Sequence, residues 1–325
     1  MIDFRYHLVS IISIFIALAV GIVLGAGPLD KPIDRTVRQQ AIDASNASKA
    51  LRSQNDELTS RLDDADAVLT SVVPAVVGGR LDGRDISIVA LPGTPGSELK
   101  QARDAILAAG AVFSGSVSLT SDWVSTDRAA DLDAVLAAHP QPGVTVPQGS
   151  DALPERAATE LAHALVTTLS ASVGSPDAES ETLLKALRDK SFLRIDEQPW
   201  ARSALVVVLA PTPDKPVSDA DPATVSEATR QRTALVEVPR RISQLSSGTV
   251  VAGQTGSAGT NGMVAEVRSG GLRTSVSTVD DLDTPAGRLA LPLAVLAEST
   301  DETGHYGTGQ GADSQLPDIA GITAS

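Results

Sequence analysis

The chain has 325 residues, no cysteine and a formal net charge of −14 at pH 7. This charge argues against nucleic-acid binding, which needs clusters of Lys and Arg against the phosphates, and the lack of Cys excludes disulfides and thiolate metal sites. Hydrophobic residues make up 42% of the chain, which is enough to build a packed core.

An uncharged apolar segment, residues 8–27 (LVSIISIFIALAVGIVLGAG), follows a short N-terminal segment of residues 1–7. As a helix with a rise of about 1.5 Å per residue, it spans about 30 Å, which is the thickness of a bilayer's hydrocarbon core. We predict a retained transmembrane helix. A cleaved signal peptide and a buried helix of a soluble domain are the alternatives, which the long apolar run and the missing polar face disfavour.

Small residues recur every four positions along this segment, at Ala17, Gly21 and Gly25. Such a row lets two transmembrane helices approach closely, so Gly21 and Gly25 are candidate self-association positions. The positive charges on the two sides of the apolar segment, taken alone, favour a cytoplasmic position for the rest of the chain. Long domains, however, cross a membrane largely regardless of charge. We therefore expect a single-pass protein of the cell membrane or envelope, with the rest of the chain extracytoplasmic.

A seven-residue apolar repeat runs through residues 30–73 and forms two seams, the first apolar throughout and the second in part. This spacing predicts a coiled-coil stalk that pairs with a second chain of the same or another kind. The residues expected in this interface are Leu51, Asn55, Leu58, Leu62 and Leu69. Asn55 is a candidate for a polar core residue that sets the register. A single amphipathic helix packed on its own domain is the alternative, and Pro74 and then Gly78-Gly79 are expected to end the helix.

Strand and helix patterns alternate through residues 80–300, and the apolar run at 204–210 (ALVVVLA) is typical of a central parallel strand. We predict an α/β head with a doubly wound, mostly parallel, Rossmann-like sheet of about five strands, and a flexible Gly-rich tail over 301–325. The predicted strands are 86–91, 111–119, 204–210, 249–252 and 276–279. The predicted helices are 99–109, 128–138, 151–170, 179–190, 225–238 (ended by Pro239, with a continuation through Arg240-Arg241 as the alternative) and 284–296.

Motifs for catalysis or cofactor binding are weak in this head. The loop after the first strand, PGTPG at 92–96, has neither a GxGxxG pattern nor a Walker lysine. The loop at 253–262 (GQTGSAGTNG) is a phosphate cradle or, more simply, a flexible loop. The carboxylates of VDDLD at 279–283 are a candidate hard-cation site or an ordinary strand end before a helix cap. The sequence therefore predicts no enzyme and no bound cofactor, and an unrecognised α/β hydrolase is the remaining alternative.

Three stretches of the chain resemble the actinobacterial MctB family, which is also known as SteB. They are the opening MIDFRYHLVSIISIFIALAVGIVLGAGPL, the late STVDDLDTPAGRLAL and the motif GHYGTGQGA, and the heptad stalk lies between them in the same order. The resemblance implies a membrane-associated envelope protein with a role in copper efflux and homeostasis. Under the second name it implies a coiled-coil partner of another membrane protein, SteA, in the control of septal cell-wall hydrolysis.

Copper ligands are scarce in this chain. Copper(I) prefers thiolate and thioether sulfur and copper(II) prefers imidazole, but the chain has no Cys, two Met and four scattered His. In the late motif, where the family pattern has a second His, this sequence has Gln310, so His305 is the one weak candidate for a metal ligand. We therefore expect copper to be a transported ion rather than a resident cofactor, and the assembly role suits the stalk and head.

Overall fold

The structure is a computed structural model that describes residues 4–25, 30–147, 149–168, 177–196, 201–213 and 221–318. It divides the chain into two units, residues 1–65 and residues 66–325. The first unit contains helix α1 (Phe4–Gly25) and most of helix α2 (Asp30–Val77), whose last residues belong to the second unit. Among the described residues, Tyr6–Gly25 forms the one helix that is long and apolar enough to cross a membrane.

Helix α2 continues for one turn beyond Pro74 and ends at Val77, so it stops at the predicted Gly78-Gly79 pair rather than at Pro74. The helix ends where Gly78 donates its N–H to the carbonyl of Pro74 at 3.0 Å and Gly79 takes a positive φ of 74°. Proline lacks its own N–H, but its carbonyl still accepts a bond from a following residue. The buried side chain of Val77, which packs into the core of the second unit, explains why the extra turn is stable.

The second unit is built on a seven-stranded, mostly parallel sheet with the strand order β3-β2-β1-β4-β5-β6-β7. The strands are β1 (Asp85–Ala90), β2 (Val112–Leu119), β3 (Leu193–Ile195), β4 (Leu205–Leu209), β5 (Gly248–Ala252), β6 (Ser277–Val279) and β7 (His305–Tyr306). Within the part of the chain that the structure describes, only the pair formed by β2 and β3 is antiparallel. The chain order reverses between β1 and β4, which are neighbours in the sheet although two strands separate them in sequence.

Helices cover both faces of this sheet. They are α3 (Gly96–Ala108), α4 (Ala129–Ala138), α5 (Leu153–Leu165), α6 (Ala178–Asp189), α7 (Pro222–Leu245), α8 (Met263–Ser269) and α9 (Pro285–Glu298). Alternate strand residues point to opposite faces, so Val206 and Val208 join the core under α4 to α8, and Leu205 and Val207 join the core under α3 and α9. This two-sided burial explains the continuous apolar runs of the central strands.

The mixed α/β class and the mostly parallel sheet are confirmed, while the Rossmann-like assignment and the coiled coil stay predictions. Helix α7 extends past Pro239 to Leu245, farther than predicted. The segment expected to be a flexible tail supplies strand β7, and its Pro317 is still buried. Its Gly content suggested looseness, but Gly304 to Gly307 are buried, because the backbone there pairs with β6.

Candidate functional site

The two late motifs meet at the carboxyl ends of β6 and β7, around the buried carboxylate of Asp280. One carboxylate oxygen accepts from the backbone N–H groups of Thr308 and Gly309 at 2.9 and 3.1 Å, and the other accepts from Gly309 at 3.0 Å. These bonds tie the loop after β7 to the end of β6. The VDDLD and GHYGTGQGA motifs therefore form one local structure, which we call the carboxylate clamp.

Arg268 of α8 completes the carboxylate clamp, although it is only 4% exposed. Its guanidinium pairs with the carboxylate of Asp280 and donates to the hydroxyl of Thr278 at 2.8 Å. It also donates to the backbone carbonyls of Tyr306 at 2.8 Å and Gln310 at 3.1 Å. A buried charge is tolerated when it is both paired and hydrogen-bonded, as this one is, so the arrangement fits a structural role in joining α8, β6 and β7.

Two glycines of the late motif are required by their distance from Asp280. A Cβ added at Gly307, which has a φ of 122°, would lie 2.3 Å from a carboxylate oxygen of Asp280. A Cβ at Gly309 would lie 2.8 Å from the other oxygen and 2.6 Å from the Cβ of Ala258. These contacts explain the Gly spacing of the motif by close packing and do not require a ligand.

His305 has a hydrogen-bond partner on each ring nitrogen. Its Nδ1 lies 3.0 Å from the hydroxyl of Thr278, and its Nε2 lies 3.1 Å from the carbonyl of Arg273. The ring is buried, and burial, helped by the charge of Arg273, lowers the pKa of His305 below its usual value. Since a metal ligand needs a free ring lone pair, the observed contacts favour a packing role for this residue.

Gln310, which stands where the family pattern has a His, takes part in the carboxylate clamp through its backbone alone. Its carbonyl accepts from Arg268, while its residue surface is exposed. The clamp therefore does not depend on the side chain at this position. Among the described residues, no group of three or more His, Asp or Glu side chains is arranged to hold a metal ion.

Acidic side chains accumulate next to the clamp. Asp281 is 2% exposed, and burial, followed by the charges of Asp280 and Asp283, raises its pKa to about 6. Glu98, at the start of α3, is fully buried, and burial together with the charge of Asp283 raises its pKa to about 8. Sequence patterns missed Glu98, because an acidic residue in the first turn of a helix is normally an exposed partner of the helix dipole.

The loop at 92–96 lies at the point where the strand order reverses, which is where ligands often bind in open α/β sheets. Here the loop closes on the end of β4. Leu91 donates its N–H to the carbonyl of Leu209 at 2.8 Å, and the hydroxyl of Thr94 donates to the same carbonyl at 3.2 Å. A Cβ at Gly93 would contact Pro211. The protein's own chain thus fills this edge of the sheet. This agrees with the lack of a GxGxxG pattern or a Walker lysine in the loop at 92–96.

The loop at 253–262 is a compact turn structure. The carboxylate of Asp283 accepts from the backbone N–H of Thr255 at 2.7 Å and from its hydroxyl at 3.0 Å. A Cβ at Gly262 would lie 2.0 Å from the carbonyl of Ser257. The glycines are therefore explained by close backbone packing, and a carboxylate occupies the position from which a phosphate would approach Thr255.

The predicted interaction residues of the first unit and of α2 lie on exposed surfaces. Large apolar side chains of α2 remain in contact with solvent, with Leu51 66%, Leu58 52%, Leu62 67% and Leu69 42% exposed, and Asn55 is also exposed. A Cβ added at Gly21 or Gly25 of α1 would meet nothing within 4 Å. The heptad residues thus share an unpartnered apolar row in this single chain.

Two neighbouring clefts of about 400 Å³ each, which no sequence pattern indicated, lie beside the segment that follows β2. One is lined by polar residues that include Asp122, Asp127 and Glu227, and the other by apolar residues that include Trp123 and Leu132. None of the predicted site residues lines either cleft. Trp123 is only 5% exposed, so its ring packs into the core rather than offering a stacking surface.

The fold and site place the chain in the class of mixed α/β proteins with one N-terminal helix apolar enough to span a membrane. A family model described as "Copper transport outer membrane protein, MctB" matches residues 1–317. The chain belongs to the MctB family.

Relatives with the name "Copper transporter MctB" match nearly the whole chain. The protein of Mycobacterium tuberculosis (strain ATCC 25618 / H37Rv) is 30% identical over 321 residues, which cover 96% of this chain and 98% of the relative. The protein of Mycobacterium leprae (strain TN) is 29% identical over 328 residues, which cover 97% and 98%. The family and its relatives support a copper-related membrane or envelope protein, and their names do not describe enzymes.

Proposed function

We propose that this protein is a single-pass, non-enzymatic envelope protein that contributes to copper efflux or homeostasis as a subunit of an assembly. The observation that carries the copper role is the full-length relationship to proteins named copper transporters. The extracytoplasmic position of the α/β domain is part of the same proposal. It is supported by the one helix among the described residues that is apolar enough to span a membrane, which lies near the N-terminus, and by the ability of long domains to cross a membrane largely regardless of charge.

The side chains favour an indirect part in copper handling. Copper(I) binds best to soft sulfur ligands, yet the described sulfur is the thioether of Met263, which is 6% exposed and packed in the core. His305 uses both ring nitrogens in internal hydrogen bonds. In this proposal, copper crosses the envelope through an assembly to which this chain contributes anchoring and protein contacts rather than ligands.

The assembly surface in this proposal is the heptad row of α2. Leu51, Leu58, Leu62 and Leu69 expose between 42% and 67% of their surface, and covering such a row is the usual driving force for pairing helices. Arg61 and Asp66 flank the two seams. In a parallel, in-register pair, Arg61 of one chain lies opposite Asp66 of the other, and the two form a complementary charge pair. We therefore propose a parallel coiled coil between two copies.

The test is the mass of the full-length chain in detergent micelles, measured by light scattering for wild type, Leu58→Lys and Ile42→Lys. Leu58 and Ile42 are both 52% exposed on the same helix, but Ile42 lies outside both seams, so it is a matched control. We expect Leu58→Lys to shift the chain to monomers while Ile42→Lys leaves the dimer intact. Equal masses for all three proteins would contradict pairing through the heptad row.

The septal role with a SteA-like partner remains a second candidate, because an exposed heptad row would serve a different helix as well as a second copy. The names of the relatives concern copper and give this role no support. A mass that rises only after a different membrane protein is added, with the same loss in Leu58→Lys, would favour the second candidate.

A further inference from the structure

Glu98 is a buried acid without a partner. It lies in the first turn of α3 and is 0% exposed, and neither carboxyl oxygen has a hydrogen-bond partner. A bare carboxylate in such a place would lose its hydration without compensation, which strongly favours the neutral acid. The buried side chain is therefore a group that needs a bound proton in order to fit the fold.

The acids near Glu98 come from the segment that links β6 to α9. The negative charge of Asp283 raises the pKa of Glu98. Asp281 is 2% exposed and its Oδ1 has no hydrogen-bond partner, and the charges of Asp280 and Asp283 raise its pKa in addition to burial. Arg268 favours the charged form of Asp281, but its guanidinium already pairs with Asp280. The negative charge of the exposed Asp283 thus acts on two buried carboxyls, Glu98 and Asp281, which each have at least one oxygen without a hydrogen-bond partner.

The other elements packed against α3 supply no cation that the structure shows paired with Glu98. Strand β2 has no charged residue, and Asp85 of β1 lies at the opposite end of that strand. On α9, Arg288 donates to the carbonyl of Asp283, and Glu298 lies at the far end of the helix. On α3 itself, Lys100 and Arg103 each form an ion pair with Asp104.

We propose that Glu98 is a proton-binding site of the α/β domain, which keeps α3 packed against α9, beside the segment joining β6 to α9, while Glu98 is a neutral acid. When its O–H bond breaks and the proton passes to water, a buried negative charge is left facing Asp283. Their repulsion loosens α3 from this segment, and the adjoining loop held through Thr255 loosens with it. The ligand is the proton, and the proposal does not depend on the copper role.

The direction of the pH effect follows from the pKa of Glu98, which is raised from 4.5 to about 8. The folded state holds the proton more tightly than the unfolded state, so the stabilisation is fully present below pH 4.5. It is lost as the pH rises from 4.5 through about 8. Between pH 6 and pH 8, the unfolding equilibrium constant of wild type should rise on the order of fifty-fold more than that of a variant with a neutral residue here.

The experiment compares denaturant unfolding of the full-length chain in detergent micelles between pH 6 and pH 8.5, followed by tryptophan fluorescence, to which the buried Trp123 contributes. The variants are Glu98→Gln, a permanently neutral mimic of the protonated acid, and Glu181→Gln as a control. Glu181 also lies in the first turn of a helix, α6, but it is exposed. We expect Glu98→Gln to remove most of the pH dependence in this range and Glu181→Gln to keep it.

Wild type and Glu98→Gln with the same pH dependence would overturn the proposal. The proposal would also fail if Ca²⁺ or Na⁺ abolished the pH effect at constant ionic strength, since a cation would then be the ligand. If Glu98→Gln does not fold, infrared difference spectra of wild type with ¹³C-labelled Glu decide the matter. A protonated Glu signal that disappears with a midpoint near pH 8 and that persists in Glu160→Gln and Glu298→Gln, whose own pKa values burial raises, supports the proton site, and its absence at pH 7 overturns it.

Discussion

At the scale of single residues, Arg268 and Asp280 join three elements that the chain visits at widely separated positions. The pair is 4% and 2% exposed, and every oxygen of Asp280 accepts from a backbone N–H or from Arg268. Removing one partner of such a pair leaves an uncompensated buried charge, which is far more costly than the net value of the pair. The carboxylate clamp should therefore be sensitive to changes that keep its shape but alter its charge.

Asp280→Asn tests this sensitivity, because it preserves the size of the side chain while turning one acceptor into a donor. The new NH₂ group faces Arg268 and the N–H of Gly309, so donors oppose donors. We expect a loss of about 3–5 kcal/mol in the free energy of unfolding, measured by denaturant titration. Asp189→Asn, which removes an exposed pair with Lys185, is the control and should change stability little. Equal effects of the two variants would contradict the clamp.

Gly307→Ala tests the second feature of the clamp, the close approach of the late motif to Asp280. The added Cβ would lie 2.3 Å from the carboxylate at a φ of 122°. Gly143 is a suitable comparison, since its φ is also positive at 75° but a Cβ there meets nothing within 4 Å. Backbone strain alone costs about 1–2 kcal/mol, so Gly307→Ala should lower the melting temperature clearly more than Gly143→Ala. A smaller loss for Gly307→Ala would show that the loop yields easily.

At the scale of elements, the parts predictable from sequence were those with strong local patterns. The run at 204–210 became β4 at Leu205–Leu209, and Thr284 caps α9 by accepting from the N–H of Gly287 at 3.0 Å. Strands β3 and β7 were missed, because they have only three and two residues and exist through pairing with β2 and β6. Such short strands carry no periodicity of their own.

Helix α8 and its Arg268 show the same limit for the candidate site. The stretch MVAEVRS is too short for a clear helical pattern, and an arginine at its end resembles an exposed residue. Only the folded chain brings Arg268 to Asp280 and to the carbonyls after β7. The two late motifs were each noted in the sequence, but their meeting at the carboxylate of Asp280 depends on tertiary pairing. Glu98 was missed for the same reason, since the sequence does not show that it is buried in the folded chain.

At the scale of the whole molecule, two properties have to be combined: relatives named copper transporters and a chain with few copper ligands. The family match extends over residues 1–317, so the relationship to these relatives is not confined to one part of the chain. The described histidine in the late motif is engaged on both ring nitrogens. These facts agree if the protein acts in copper handling through its anchor and its protein contacts.

Calorimetric titration of the full-length chain in detergent micelles with Cu(I) and Cu(II), in a buffer that does not complex copper, tests this account most directly. The account predicts no tight, stoichiometric copper binding and the same heat for wild type and His305→Gln. Tight binding at a fixed ratio of copper to chain, lost in His305→Gln, would contradict it and would make this chain itself the copper-binding component.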